Sequence, residues 1–199
     1  VAEDHASNPI KIGINKLKER GGKFVAINPV RTGYQSVADE WVPIKPGTDA
    51  MLALSLIHVL LKNELFDWEF LVRYTNAHYL VVDTPREKGD GLFYRNKEGV
   101  PQSWDLEKET TVNATDAKIK PALLGSYKTK DGTPVKTVFT LMTERYLDNE
   151  YSPEMASKIC GVPAKQIERI ARELAHVAFK ETIEVDTEWT DWTGRKHRT

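Results

Sequence analysis

A short apolar run enclosed by helix and turn signals places the strongest constraint on the fold. The run occupies residues 23–27, directly after the pair Gly21-Gly22, and ends at Asn28-Pro29. Glycine tolerates the left-handed backbone that follows a helix, and proline cannot donate a hydrogen bond to a strand ladder. A helix followed by a buried strand of this kind is typical of α/β folds with a parallel sheet.

The same alternation continues along the first half of the chain. Asn8 followed by proline predicts the start of the helix that precedes the strand. A second extended piece is expected at 41–44, and Thr48 or Asp49 is expected to cap a buried helix over residues 50–62. We therefore predict an α/β fold, Rossmann-like and doubly wound, with a mostly parallel sheet, a helical C-terminal part and an irregular insertion.

Composition divides the chain into four parts. We predict an α/β portion at 1–83, an insertion of short strands and loops at 84–133, a helical continuation at 134–180 and a polar tail, interpreted as truncated, at 181–199. The insertion is rich in Gly, Lys, Asp and Thr, so it is expected to be peripheral and mobile. The clearest amphipathic helix lies in the continuation, with apolar residues at Ile167, Ile170, Ala171, Leu174 and Ala178.

Charge and cysteine content exclude several functional classes. The 28 basic and 29 acidic side chains give a net charge of −1, so the chain as a whole offers no electrostatic basis for binding nucleic acid. No apolar run reaches the roughly 18 residues of a membrane span. A single cysteine, Cys160, excludes an internal disulfide and a thiolate metal cage built by this chain alone. We expect Cys160 to be a small packing residue.

Common catalytic motifs are also absent. The sequence contains no G-x-G-x-x-G fingerprint, no P-loop, no H-E-x-x-H pair and no G-x-S-x-G elbow. The five histidines are scattered, and His58 lies within an apolar helix where a satisfied core imidazole is expected. No catalytic residue and no metal ligand is therefore predicted.

Two loops remain as candidate ligand sites. In the loop after the first strand, Arg31 could clamp a phosphate or stack on a ring, or it could be an ordinary surface arginine. In the turn before the helix at 50–62, backbone N–H groups could receive an anion, or Thr48 and Asp49 could form an ordinary helix cap. The residues alone leave both alternatives open.

The order and spacing of these loops resemble one protein family. The stretches at 7–9, 21–32 and 38–49, together with later ones at 151–154 and 161–167, resemble the molybdopterin oxidoreductases, the dimethyl sulfoxide reductase superfamily. The resemblance covers nearly the whole chain. Residues 71–77 further resemble the branch that contains sulfite dehydrogenase and the polysulfide, thiosulfate and tetrathionate reductases.

The resemblance implies that this segment binds one guanine dinucleotide arm of a molybdenum bis(pyranopterin guanine dinucleotide) cofactor. The cofactor-binding residues carried over by position are Asn8, Asn28, Arg31, Thr32, Lys45, Gly47, Thr48 and Asp49. Asn28 departs from the aspartate that is usual in the family. An amide can still bond a ribose hydroxyl, but without the negative charge.

The resemblance also implies properties of the parent protein. The parent is expected to perform two-electron redox chemistry, with a sulfur oxyanion as the substrate class of the suggested branch. It is also expected to hold an iron–sulfur cluster outside this segment. The expected partners are the remaining domains of the parent and an iron–sulfur electron-transfer subunit. The sequence leaves the location of the parent unknown, whether at the cytoplasmic or at the periplasmic face of a bacterial membrane complex. The isolated segment is expected to be inactive.

Two alternatives to this function stay open. The segment could be a non-catalytic interaction module on the same scaffold, or an unrelated nucleotide-binding domain. A cysteine cluster encoded upstream would favour the enzyme over the interaction module. An absence of any preference for guanine would favour the unrelated domain.

Overall fold

The computed structural model describes residues 9–31, 33, 37–116, 118–181 and 188–198. The helices are α1 (Pro9–Glu19), α2 (Asp49–Lys62), α3 (Trp68–Tyr74), α4 (Val138–Tyr146), α5 (Pro153–Cys160) and α6 (Ala164–Lys180), with a 3₁₀ turn at Asn149–Tyr151. The strands are β1 (Val25–Ile27), β2 (Glu40–Val42), β3 (Leu80–Val82), β4 (Gln102–Asp105), β5 (Thr110–Asn113), β6 (Ser126–Lys128), β7 (Pro134–Thr137), β8 (Glu188–Thr190) and β9 (Lys196–Arg198).

The described strands form four small sheets. Strands β1 and β2 pair in parallel, with the register Val25↔Glu40, Ala26↔Trp41 and Ile27↔Val42. The order β3-β7-β6 and the pairs β4-β5 and β8-β9 are antiparallel. Among the described residues the parallel arrangement is therefore confined to β1–β2, and the doubly wound, mostly parallel sheet stays a prediction.

One apolar core lies where β2 packs against α2, α5 and α6. Its members are Val42, Ile44, Leu52, Ala156, Cys160, Val162, Ile167 and Ile170. The Cys160 thiol is free and its side chain is fully buried, in agreement with the expected packing role. Because α2 follows β2 after a short turn, this core fixes the start of α2 relative to the end of the strand.

The apolar stripe of α6 differs in its second half from the predicted one. Ile167, Ile170 and Ala171 are buried as expected, but the next buried residue is Ala175. Leu174 is 53% exposed. In a helix of 3.6 residues per turn, successive residues on one face are three or four positions apart. Here the spacing from Ala171 to Ala175 is four.

Helix α2 connects this core to a second one. The second core contains Leu61 with Ala77, Leu123 and Phe139. Between the two, the buried His58 donates from Nδ1 to the Tyr146 carbonyl oxygen at 2.9 Å, which is the satisfied core imidazole that the sequence predicts. None of the helices in the described part of the chain is long and apolar enough to cross a membrane.

The predicted insertion contains β4, β5 and β6. Strand β6 pairs with β7, which also pairs with β3, so the end of this segment shares a sheet with the residues on either side of it. Ser103 and Asp105 within it are almost fully buried. The boundaries at 84 and 133, and the mobility of the segment, stay predictions.

Candidate functional site

The parallel pairing of β1 and β2 brings the two candidate loops to one side of the molecule. Parallel strands end at the same edge of a sheet, and ligands of α/β proteins bind outside that edge. Here the loop at 28–31 leaves β1 and the loop at 43–48 leaves β2, and the second loop leads into the first turn of α2. We call these two loops and that first turn the carboxyl edge.

Asn28 begins the first loop. Its N–H donates to the Val42 carbonyl oxygen at 3.2 Å, so it extends the strand ladder by one bond. Its side-chain Oδ1 accepts from the Val30 N–H at 3.2 Å, an Asx turn that folds the loop back on itself. In this arrangement the Asn28 amide organises its own loop.

Arg31 lies at the end of the same loop, over an aromatic ring. Its guanidinium carbon is 5.9 Å from the centre of the Trp41 ring system, within cation–π range. Trp41 also donates from Nε1 to the Asn28 carbonyl oxygen at 2.9 Å. Trp41 thus contacts both predicted residues of this loop that the structure describes.

Lys45 begins the turn that leads to α2. Its backbone N–H donates to the Cys160 carbonyl oxygen at 2.9 Å, and its Nζ lies 3.5 Å from the Lys158 carbonyl oxygen. Those carbonyls belong to the C-terminal end of α5, where the helix dipole favours a cation. The Lys45 stem passes over Gly161, where a Cβ would lie in van der Waals contact at 3.4 Å from Lys45 Cε.

Gly47 and Thr48 complete the turn. Gly47 has a φ of +76°, which favours glycine, and nothing lies within 4 Å of a Cβ placed there. Thr48 occupies the N-cap position of α2, but its hydroxyl donates backward to the Lys45 carbonyl oxygen at 2.7 Å and caps nothing in α2. The predicted side-chain cap by Thr48 is therefore wrong.

Asp49 is the first residue of α2, and its side chain is exposed. Its carboxylate makes no hydrogen bond or ion pair within the part of the chain that the structure describes. A carboxylate in the first turn is stabilised by the helix dipole. The alternative that Asp49 caps the helix through its side chain finds no support in these contacts.

Two of the predicted residues, Asn8 and Thr32, lie outside the described residues. The other six lie on the carboxyl edge: Asn28, Arg31, Lys45, Gly47, Thr48 and Asp49. In chemical terms the edge offers a guanidinium, an open glycine turn, the start of a helix and a free carboxylate. Such a set suits a ligand that carries both an anionic group and hydrogen-bond donors.

Comparison with known proteins identifies the family. The chain is 46% identical to a sulfite dehydrogenase subunit of Allochromatium vinosum, over 98% of this chain and 21% of that protein. It is 31% identical to the alpha subunit of perchlorate reductase from Dechloromonas aromatica, over 81% of this chain and 21% of that protein. These relatives are catalytic subunits of molybdopterin oxidoreductases. The chain belongs to this family.

The similarity covers a limited part of each relative. A selenate reductase subunit of Mesobacillus selenatarsenatis is 30% identical over 81% of this chain and 17% of that protein. The chain thus spans about a fifth of the length of the curated relatives it matches. No protein-family model matches it.

The opposite side of the β1–β2 pair, in this molybdopterin oxidoreductase segment, carries charged side chains that pair with one another. We call Lys23, Glu40 and the facing α6 residues Gln166, Arg169 and Glu173 the amino edge. Glu40 accepts from Arg169 and, at 2.7 Å, from Gln166 Nε2. Lys23 Nζ lies 3.7 Å from Glu40 and 3.4 Å from Glu173.

The charges of the amino edge reinforce one another. The Arg169 guanidinium donates to Glu173 at 2.7 Å and, with help from Lys23, lowers the pKa of that carboxyl. The carboxylates in turn raise the pKa of Arg169. A groove of about 1020 Å³ runs between this edge, Gly21 and α6, and it contains none of the predicted cofactor-binding residues. The groove is therefore separate from the candidate site.

Sequence reasoning missed Trp41. The signal was present, since Trp41 is an aromatic residue in the strand whose end forms the candidate turn. Its side chain contacts the first loop because the parallel register places Trp41 beside Ala26, two residues before Asn28. No group of three or more His, Cys, Asp or Glu side chains in the described residues is arranged to hold a metal ion.

Proposed function

We propose that the carboxyl edge binds one guanine dinucleotide arm of a molybdenum bis(pyranopterin guanine dinucleotide) cofactor. The observation that carries this proposal is the shared edge: the loop with Arg31 and the turn with Asp49 leave parallel strands on the same side. Membership of the molybdopterin oxidoreductase family supports a pterin cofactor as the ligand. The residues on the edge fit the parts of a guanine nucleotide, as follows.

The free carboxylate of Asp49 suits the guanine base. Guanine presents adjacent N1–H and N2–H donors, and a carboxylate can accept from both at once. Adenine has no such pair of donors. Asp49 has no partner of its own among the described residues and lies in an exposed first turn, so it is free to accept these bonds.

The turn before Asp49 suits the approach of a large ligand. Nothing within 4 Å would contact a Cβ at Gly47, so the space over the turn is open. The first N–H groups of an α-helix have no intrahelical acceptor, and they carry partial positive charge. Arg31 adds a guanidinium on the neighbouring loop, which matches the geometry of a phosphate.

For the whole protein we propose a molybdenum oxidoreductase acting on a sulfur oxyanion. The 46% identity to a sulfite dehydrogenase subunit supports this substrate class. The bound cofactor would supply the two-electron redox chemistry, and this segment would bind and orient it. The proposed partners are the remaining domains of the parent chain and an iron–sulfur electron-transfer subunit, in keeping with relatives that are named as subunits.

Asp49→Asn in the full-length protein tests the base assignment. The protein is prepared without cofactor from cells that cannot make it, and titrated with GDP and with ADP by calorimetry. Wild type should prefer GDP. Asp49→Asn should weaken GDP binding about 10-fold or more, because each hydrogen bond to a charged group contributes about 1.5–3 kcal/mol.

Asp67→Asn is the matched control. Asp67 is the N-cap residue of α3, and its carboxylate accepts from the Phe70 N–H at 2.9 Å. Asparagine caps about as well as aspartate, and this variant should bind GDP as wild type does. A wild type that does not bind GDP, or an Asp49→Asn variant with unchanged affinity and preference, would contradict the proposed base recognition.

A further inference from the structure

Within the residues that the structure describes, the Arg31 guanidinium has one side-chain contact, the Trp41 ring. Its guanidinium carbon lies over the Trp41 ring system, 5.9 Å from the centre. Its N–H groups make no hydrogen bond or ion pair within the described residues. A guanidinium carries five N–H donors, and two of them can bind one phosphate together.

Trp41 also makes a second contact, with the backbone of the loop that carries this arginine. The indole N–H donates to the Asn28 carbonyl oxygen at 2.9 Å, while the Asn28 side chain accepts from Val30. These bonds fix the backbone of residues 28–30 against the sheet. The same indole therefore contacts both the backbone at the start of the loop and the guanidinium at its end.

We infer that Trp41 is a positioning residue for the diphosphate of the guanine nucleotide, acting through Arg31. This inference rests on the function proposed above and adds which residues of the site bind the phosphates and which bind the base. The Arg31 edge binds phosphate oxygens, Trp41 orients it, and Asp49 binds the base. Phosphate recognition and base recognition then reside on different loops of the carboxyl edge.

Because phosphate and base are bound by different residues, each substitution should change the affinity for some ligands and not for others. Trp41→Phe keeps an aromatic face but removes the N–H donor to Asn28. It should weaken GDP binding about 2- to 10-fold, the range expected for loss of one hydrogen bond. It should leave the affinity for guanosine, which has no phosphate, unchanged. A purely structural role for Trp41 would weaken both ligands equally.

A double substitution tests whether Trp41 acts through Arg31. In the full-length, cofactor-free protein, Arg31→Gln alone should weaken GDP binding and spare guanosine. Adding Trp41→Phe to Arg31→Gln should then have little further effect, because residues that act as a unit are not additive. Trp192→Phe is the control, since Trp192 is 96% exposed on the β8–β9 hairpin.

The outcomes separate the two proposals. If wild type prefers GDP to ADP but Trp41→Phe keeps the wild-type ratio of GDP to guanosine affinity, the role of Trp41 is overturned and the nucleotide site stands. Additive effects of Arg31→Gln and Trp41→Phe would also overturn it. If wild type binds neither GDP nor guanosine, the proposed function fails and the role of Trp41 fails with it.

Discussion

The two edges of the β1–β2 pair are built from similar residue types but use them differently. At the amino edge, Glu40 is bonded to Arg169 and Gln166, and Lys23 lies between two carboxylates. At the carboxyl edge, Asp49 has no partner among the described residues. Charges that satisfy one another hold a fold together, whereas charges left without partners are available to a ligand.

This difference has a structural origin. At the amino edge, the two ion-pair partners Glu40 and Arg169 both lie in regular secondary structure. Glu40 lies in β2, and Arg169 lies in the middle of α6. The carboxyl edge consists of loops and a helix start, where backbone and side-chain groups lack regular partners. Stability and binding should therefore respond to different substitutions, although both edges belong to the same pair of strands.

The largest expected effect on stability is at the amino edge. Glu40→Ala removes the carboxylate that Arg169, Gln166 and Lys23 share, and leaves a half-buried guanidinium with fewer partners. We expect the free energy of unfolding to fall by about 1.5–3 kcal/mol, the range for hydrogen bonds to charged groups. Urea unfolding of the chain measures it.

Glu40→Gln is the matched variant, because it keeps one oxygen acceptor while it removes the charge and replaces the other oxygen by an amide NH2. Its free energy of unfolding should fall by less than that of Glu40→Ala. Neither variant should change GDP binding, since Glu40 lies at the amino end of β2. A variant that loses GDP affinity while keeping its stability would remove the distinction between the two edges.

A smaller effect is expected from the turn at the carboxyl edge. The alanine Cβ of Gly47→Ala would have no atom within 4 Å. The destabilisation we expect therefore comes from the left-handed backbone at φ +76°. That conformation costs a residue with a Cβ about 1–2 kcal/mol. We expect the midpoint of thermal unfolding to fall, and GDP binding to weaken because the turn places the start of α2.

Gly13→Ala serves as the control for this glycine. Gly13 lies within α1, lacks a positive φ, and has open space around the position that a Cβ would take, with no atom within 4 Å. Alanine there should stabilise the chain by about 0.5–1 kcal/mol, because glycine is unfavourable in a helix. The two substitutions should thus shift the unfolding temperature in opposite directions. Equal shifts would show that the turn at Gly47 tolerates a side chain.

Local signals in the sequence predicted part of this architecture. The glycine pair, the apolar run and Asn28-Pro29 predicted a helix, a strand and a loop, and the structure has them in that order. The turn at Gly47 before a buried helix was likewise predicted. These features depend on residues that are close in sequence. The backbone preferences of such residues can be inferred without knowledge of the rest of the chain.

Features that depend on distant residues were not predicted. The bond between Arg169 and Glu40 joins residues 129 positions apart, and nothing near either residue indicates the other. The Trp41 contact with Asn28 depends on strand register. The Thr48 hydroxyl had two acceptable partners, a helix N–H ahead of it and a carbonyl behind it, and local composition does not choose between them.

The smallest expected effect is the pH dependence of the amino edge. The hydrogen bond from Arg169, together with the nearby Lys23, holds the pKa of Glu173 below its ordinary value of 4.5. A carboxyl whose pKa is lowered by folding stabilises the folded state above the unfolded pKa. That contribution is lost as the pH falls through the lower folded pKa. Because Glu173 is substantially exposed, the contribution should stay below about 1 kcal/mol.

Thermal unfolding of wild type and Glu173→Gln at a series of pH values measures this contribution. At pH 7 the variant should unfold at a slightly lower temperature, and the difference should vanish as the pH falls well below 4.5, where both side chains are neutral. Glu168→Gln, on the same helix but without an ion pair among the described residues, should show no such pH-dependent difference. A difference for Glu173→Gln that persists unchanged in acid would mean that its carboxylate charge does not stabilise α6 against β2. The contrast between the paired and unpaired edges would then rest on Glu40 alone.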